Sequence, residues 1–521
     1  MLKNKVFLLG FLLSLFTLLN MTNCDGPVPF VPYPSVDEFA PERGGEGTTV
    51  TIEGRFFGDR PQVYFGNTKA TMVNYLGENK VKVQVPVGAT TSLIRIKSKQ
   101  GFGSSQKNFI VPNQKKWTLL VYLDGDNNLE SAAIDDFLEM SSVGSSDEVN
   151  VLVQMDRSPL SDPKIGYTNT YGNWTDTRRF LIGKDDEPDM NPLDNLGEVN
   201  MGHPDTLESF VTWAITNYPA EHYGLILWNH GGGWRIMQQK WLAKKEAALK
   251  SGNDSFQGWK AVCIDESQGD DALHTAELKT ALLGAQYETQ VKIDLLGFDA
   301  CLMAMAEVAY QIRNHANYMV GSENFEPGDG WPYDAILKKL VDKPNQDVPD
   351  LAKLIVDEYG RSFSGDRSVT QSALDLSKMQ DFASVLDSLS QELDQEWSAF
   401  QSARQETDEF HSLFYPIGFW GVDVWDFADE TLERSDIIFN RSAAARMKEI
   451  VEEVVIANYC GTDFKDSKGI AIYFPPSLAD FNNDPDATGY TDANTVHKID
   501  LVRKTRWDNW LQEFYSHQVT P

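Results

Sequence analysis

From Trp117 onward, short apolar runs alternate with stretches whose apolar residues recur at helical spacing. That alternation restricts the chain to an α/β sheet covered by helices on both faces. The runs are residues 117–123, 149–155, 223–228, 291–298 and 318–321. Each is apolar at most positions, as strands buried on both sides require, so the central sheet is expected to be mostly parallel. Helices are expected over 129–140, 205–217, 275–283, 302–313, 351–359 and 378–405. Residues 469–474 read as one further strand, closed by Pro475 and Pro476.

Two of these runs end in residues that carry chemistry. Leu225-Ile226-Leu227-Trp228 is followed by Asn229, His230 and the glycines 231–233, and Leu295-Leu296-Gly297-Phe298 by Asp299, Ala300 and Cys301. Ligands of open α/β sheets gather at the carboxyl ends of strands, and adjacent strands would bring His230 and Cys301 together. A thiol must lose its proton to attack a carbonyl. Cys301 is expected to open a helix, whose N-terminus favours the thiolate. His230 can take the proton and return it to a leaving amine. Alone, either residue would read as a buried helix-start cysteine or a satisfied loop histidine; together, at two strand ends, they favour nucleophilic catalysis.

Upstream, residues 33–112 form short alternating runs between glycine-rich turns, an all-β pattern. It resembles the immunoglobulin-like TIG (IPT) domain through Gly44-Gly45, Gly47 to Gly54, Val63-Tyr64-Phe65-Gly66 and Val85-Pro86-Val87-Gly88. Residues 1–23 read as a secretory signal with Lys3 and Lys5 ahead of an apolar core. Met21-Thr22-Asn23-Cys24 resembles a loose lipoprotein box, with Cys24 the lipidated residue and 24–32 a Pro-rich tether. The chain is therefore expected to be exported, held at the bacterial envelope or surface by its lipid, or otherwise secreted.

From 117 to 515 the chain resembles the clostripain family of cysteine peptidases, which have a caspase-like fold. The resemblance rests on the His-Gly and Asp-Ala-Cys motifs together with Tyr122 to Leu129, Gly321-Ser322-Glu323, Glu326 to Trp331, Val422-Asp423-Val424, Gly469 to Pro475 and Trp507 to Phe514. It implies an α/β caspase-like sandwich behind a small immunoglobulin-like domain, with Cys301 as nucleophile and His230 as general acid and base. It further implies an oxyanion hole from the backbone N–H groups of Gly231 and Cys301. Asp299 would hold a basic P1 side chain, with Asp329 a second wall of that pocket, so that cleavage follows Arg or Lys. Residues 238–260 lie between the two motifs and carry Lys240, Lys244, Lys245, Lys250 and Lys260, which predicts self-processing there.

A formal charge of -30 argues against nucleic acid or an anionic membrane as partner, leaving the lipid anchor as the one membrane contact and peptides with basic residues as substrates. No His/Cys spacing suggests zinc, and the chemistry calls for no cofactor. Asp124, Asp126 and Asn128 open like a calcium loop, but Leu129 stands where the loop needs Gly, so a turn capping the next helix is expected instead. The resemblance admits a calcium requirement, for which the acidic loop of Asp265, Glu266, Asp270 and Asp271 is the candidate. Of the four cysteines, Cys263 and Cys460 read as small buried apolar residues. The competing reading is an inert surface lipoprotein that binds through its TIG domain.

Overall fold

A nine-stranded sheet organises the chain from Lys115 onward. Across it the strands run Asp194–Gly197, Thr177–Leu181, Val149–Arg157, Lys115–Gly125, Ala220–Trp228, Ile293–Asp299, Ala316–Gly321, Thr370–Asp375 and Val455–Cys460. The structure, a computed structural model, describes residues 32–517 except 45–46, 72, 112–113, 160–165, 236–261, 393–396, 411–418, 435–440, 485 and 492–498. All five expected central strands are present and parallel to one another. The sheet as a whole is mixed, because two antiparallel strands extend it on each side. Parallel pairing demands apolar residues on both faces. The outer strands do not offer them: Thr177–Leu181 carries Arg178 and Arg179, and Val455–Cys460 stays part-exposed.

Alternation along each strand feeds two separate cores. Leu120, Tyr122, Leu225 and Leu227 point to one; Leu119, Val121, Leu123, Ile226 and Trp228 point to the other. The first core takes in helices Pro204–Asn217, Thr275–Thr289, Ala306–Ile312, Met379–Glu392 and Arg441–Val454. The second is covered by Glu130–Val143, Tyr333–Asp342 and Val348–Ser362. Among the described residues no helix is long and apolar enough to cross a membrane.

The expected strand at 469–474 forms as Ala471–Tyr473, in a separate small sheet with Gly421–Asp423 and Glu409–Phe410. Asp423 pins that sheet to its surroundings. One carboxylate oxygen accepts from Asp426 N at 2.7 Å and caps the following helix; the other accepts from Lys468 N at 2.7 Å.

The N-terminal region is two four-stranded antiparallel sheets packed around Val50, Ile52, Val63, Phe65, Val81, Val83, Ile94, Ile96 and Phe109. Asn67 Nδ2 donates to Thr289 O at 2.6 Å and Arg95 Nη1 to Glu288 O at 3.2 Å, tying this region to the end of helix Thr275–Thr289. Cys24 and the expected processing stretch 238–260 lie outside the described residues.

Candidate active site

The two chemistry-bearing strand ends meet. Strand Ala220–Trp228 pairs in parallel with Ile293–Asp299, with Trp228 opposite Asp299, and Asn229 N donates to Asp299 O at 3.2 Å. One step further along each chain lie His230 and, past Ala300, Cys301, both buried. Gly231 sits against the nucleophile's backbone: a Cβ there would fall 2.1 Å from Cys301 O and 2.9 Å from Cys301 N. The glycine thus admits the chain's own cysteine rather than leaving an open approach, and only a residue without a side chain fits. Gly231 also bridges to Val262, so the segments on either side of 236–261 lie next to each other. Arg235, the last described residue before that stretch, pairs with Asp484 at 2.7 Å and Asp486 at 3.6 Å.

The imidazole is held by a residue the sequence pattern did not single out for this role. Asn128 Oδ1 lies 2.7 Å from His230 Nε2. An amide oxygen only accepts, so Nε2 carries the proton and Nδ1 keeps the lone pair. Asn128 reaches there from the turn after strand Lys115–Gly125. That turn is built by its neighbours: Asn127 Oδ1 accepts from Leu129 N at 2.8 Å, and Asp124 Oδ1 from Asp126 N at 3.3 Å. The expectation that the turn of Asp124, Asp126 and Asn128 caps the next helix with a side chain is not met. That helix starts after Leu129 with no side-chain cap.

Cys301 does not open a helix. It lies in a turn with Leu302 in the left-handed region at φ 63°, and the helix begins only at Ala306. The apolar run 302–306 is helix-competent by composition, but its backbone is spent on tertiary bonds: Leu302 N donates to Asn324 O at 3.0 Å and Ala304 N to Ser322 O at 2.8 Å. A helix N-terminus therefore does not lower the thiol's pKa. Burial pushes Cys301 up to about 12, opposed by the N–H of Glu326, which donates to Sγ at 3.3 Å. Burial likewise pushes His230 down to about 3. Both groups are neutral at rest near pH 7.

Beside the thiol lies a cluster of acids. Asp299 Oδ2 accepts from Tyr333 Oη at 2.9 Å and Trp331 N at 3.2 Å, and it caps no helix. Gly330, at φ 61°, covers it: a Cβ there would lie 3.1 Å from Asp136 Oδ2 and 3.2 Å from Asp299 Oδ2. Glu326 completes a trio of carboxylates. Burial pushes Asp299 up to about 6, and burial together with the neighbouring Asp299 raises both Asp136 and Glu326 well above the usual range. Asp329 is exposed on the same loop, close enough to Asp135 to raise it further than burial alone does. The place of Asp136 and Glu326 beside Asp299 escaped the sequence reading, which had Glu326 only as part of a motif: Asp136 sits on a helix and Glu326 in a loop, and only the fold brings them to Asp299.

Of the acidic loop expected to hold calcium, Asp265 alone turns inward, toward Asp126 and Glu198. Glu266 accepts from Tyr167 Oη at 2.6 Å and Asp271 from Asn200 Nδ2 at 2.8 Å instead. Cys263 is buried and Cys460 half-buried, both as free thiols.

Residues 121–514 match the Clostripain family and residues 34–111 the IPT/TIG domain. Clostripain from Hathewaya histolytica is 34% identical over 248 residues, which is 43% of this chain and 42% of clostripain, so the match spans less than half of that relative. A secreted C11 cysteine protease from Bacteroides thetaiotaomicron, in complex with an irreversible peptide inhibitor, superposes with a TM-score of 0.54 at 22% identity over 76% of this chain and 99% of that one. An inactive zymogen C11 protease from Parabacteroides distasonis gives 0.51 at 18% identity over 78% and 100%. At these identities the likeness is one of fold: a mixed sheet with flanking helices.

Proposed function

Because the chain belongs to the clostripain family of cysteine peptidases, we propose that it is an endopeptidase using Cys301 as nucleophile and His230 as acid and base. The observation that carries this reading is the pairing of their two strands, which sets the residues side by side with Gly231 pressed on the Cys301 backbone. With both groups neutral at rest, the thiol would transfer its proton to His230 Nδ1 as it attacks, Asn128 having fixed the tautomer in which that nitrogen carries the lone pair. The tetrahedral oxyanion would be met by the N–H groups of Gly231 and Cys301. His230 then protonates the leaving amine and activates the water that releases the thioester.

Cleavage after Arg or Lys is supported by the buried carboxylate of Asp299, with buried Asp136 and half-buried Glu326 beside it, a cluster that would ionise against a guanidinium or ammonium. Asp329 would add charge at the exposed side of the same loop. On this reading the precursor cuts itself within 238–260, and Cys24 carries a lipid that keeps the enzyme at the envelope. The test is hydrolysis of fluorogenic peptides with Arg, Lys, Asp or Ala at P1. Cys301→Ala and His230→Ala should each lose on the order of 10³-fold or more in kcat/KM while keeping the wild-type circular dichroism. Normal turnover by Cys301→Ala would end the reading.

A further inference from the structure

The loop that follows His230 is a run of glycines between two anchors. At its near end Asn229 Nδ2 donates to Asp124 O at 2.9 Å and Ile264 O at 3.2 Å, and Asn128 holds the imidazole. Gly231, Gly232 and Gly233 come next, and glycines contribute no stiffness of their own. Gly233 is left-handed at φ 64°, and a Cβ there would lie 3.1 Å from Leu302 O, so the loop runs tight against the turn that holds Cys301. The far end is fixed by the two residues after it. Trp234 is buried, its ring edge-on to Tyr473 and Tyr490 at 4.9 and 4.8 Å. Arg235 is buried too: Nη1 donates to Asp484 Oδ1 at 2.7 Å and Nη2 to Phe419 O at 3.1 Å, with Asp486 at 3.6 Å. Asp484 is itself oriented, since Oδ2 accepts from Tyr473 Oη at 2.8 Å and Oδ1 from Asp486 N at 3.0 Å.

We propose that the Arg235–Asp484 ion pair is a positioning device: it fixes the far end of the glycine loop so that the Gly231 N–H meets the oxyanion. This rests on the reading of Cys301 and His230 as the catalytic pair. Stability alone does not account for the arrangement. Two charges taken out of water recover little beyond their desolvation cost, and apolar residues of like volume are often no less stabilising. What an apolar contact lacks is direction. The planar guanidinium bonds Asp484 and the Phe419 carbonyl at set angles, so the chain leaving the loop has one course. The imidazole has its own hold in Asn128. Slack at Arg235 would therefore reach the glycines first, and the pair acts on the oxyanion rather than on proton transfer.

The test uses the full chain and two variants, with kcat expressed per site titrated by an irreversible peptide inhibitor, so that misfolded or inactive molecules do not count. Arg235→Lys keeps the charge and loses the fork. The double variant Arg235→Gln with Asp484→Asn exchanges the ion pair for two neutral amides. Each should lose roughly 10- to 100-fold in kcat, short of the cost of about 10²–10³-fold for deleting an oxyanion donor outright, with KM little changed. Alkylation of Cys301 by iodoacetamide displaces iodide and forms no oxyanion, so it should proceed at the wild-type rate. A merely structural pair would lower Tm and leave kcat per titrated site unaltered. That outcome overturns the proposal, as does a change confined to KM or an equal fall in alkylation and hydrolysis. If the double variant does not fold, Arg235→Lys decides by itself. Failure of the underlying reading shows differently, as normal turnover by Cys301→Ala.

Discussion

Asn128→Ala removes the acceptor that lies 2.7 Å from His230 Nε2 and fixes the proton there. The imidazole is buried. Losing the acceptor of a buried N–H costs about 1–3 kcal/mol. With each 1.36 kcal/mol worth a factor of ten in rate, kcat/KM should fall roughly 5- to 150-fold. The loss should fall on kcat and be equal for Arg and Lys substrates, because Asn128 touches the base and not the cluster of acids. A merely structural role is separated by Asn128→Asp, which keeps an acceptor and adds charge. A carboxylate beside the imidazole favours its protonated form and opposes the burial that depresses it. The Asn128→Asp enzyme should therefore recover most of the activity while moving the acid limb of the kcat/KM profile to higher pH. The assay is the pH dependence of Ala-coumarin hydrolysis at matched active-site titres, with an uncharged P1 residue that keeps Asp299 out of the acid limb. Unchanged kcat/KM in Asn128→Ala, or the same acid limb in Asn128→Asp as in wild type, would refute the reasoning.

On the proposed reading Asp299 would bind a basic side chain only when ionised, and burial has pushed it up to about 6, so kcat/KM for Arg substrates should climb as pH rises through that value. In Asp299→Asn this limb should vanish and the preference for Arg over Ala at P1 collapse; a persistent limb assigns the titration elsewhere. Gly231→Ala drives a methyl group to 2.1 Å from Cys301 O and should abolish peptide hydrolysis, with reduced labelling of Cys301 by an irreversible peptide inhibitor as the check. Intact-mass analysis of purified wild type should find new termini after a Lys within 238–260, absent from Cys301→Ala; a fully active uncut chain would show that processing is not required.

The sequence revealed what depends on one strand at a time. Residues 223–228 read as a buried strand because both faces are apolar, and reading the two strands that precede His230 and Cys301 as neighbours in one sheet was enough to predict that they pair. The outer strands gave no comparable signal: Thr177–Leu181 is charged and short, and its Arg179 is accommodated by Gln154 Oε1 at 2.8 Å, a contact no local pattern announces. Residues 302–306 misled for the opposite reason. Their composition suits a helix, and bonds to the distant loop 322–324 hold them out of one. Asn128, Asp136 and Glu326 were hidden because polar residues on turns and helix faces look solvated until the fold buries them.

The seam between strands Ala220–Trp228 and Ile293–Asp299 has a consequence for a chain cut within 236–261. The two pieces would meet along the middle of the sheet, through the paired residues 224–228 and 295–299, with Gly231 against Val262 and Arg235 on Asp484 clasping the same junction. Dilution alone would not part them, since neither piece owns a complete core. Once unfolded, however, they would have to find each other again. Refolding would change from a unimolecular to a second-order process, slower the more dilute the protein, so the mature enzyme would be held together more by its barrier to unfolding than by its capacity to reassemble.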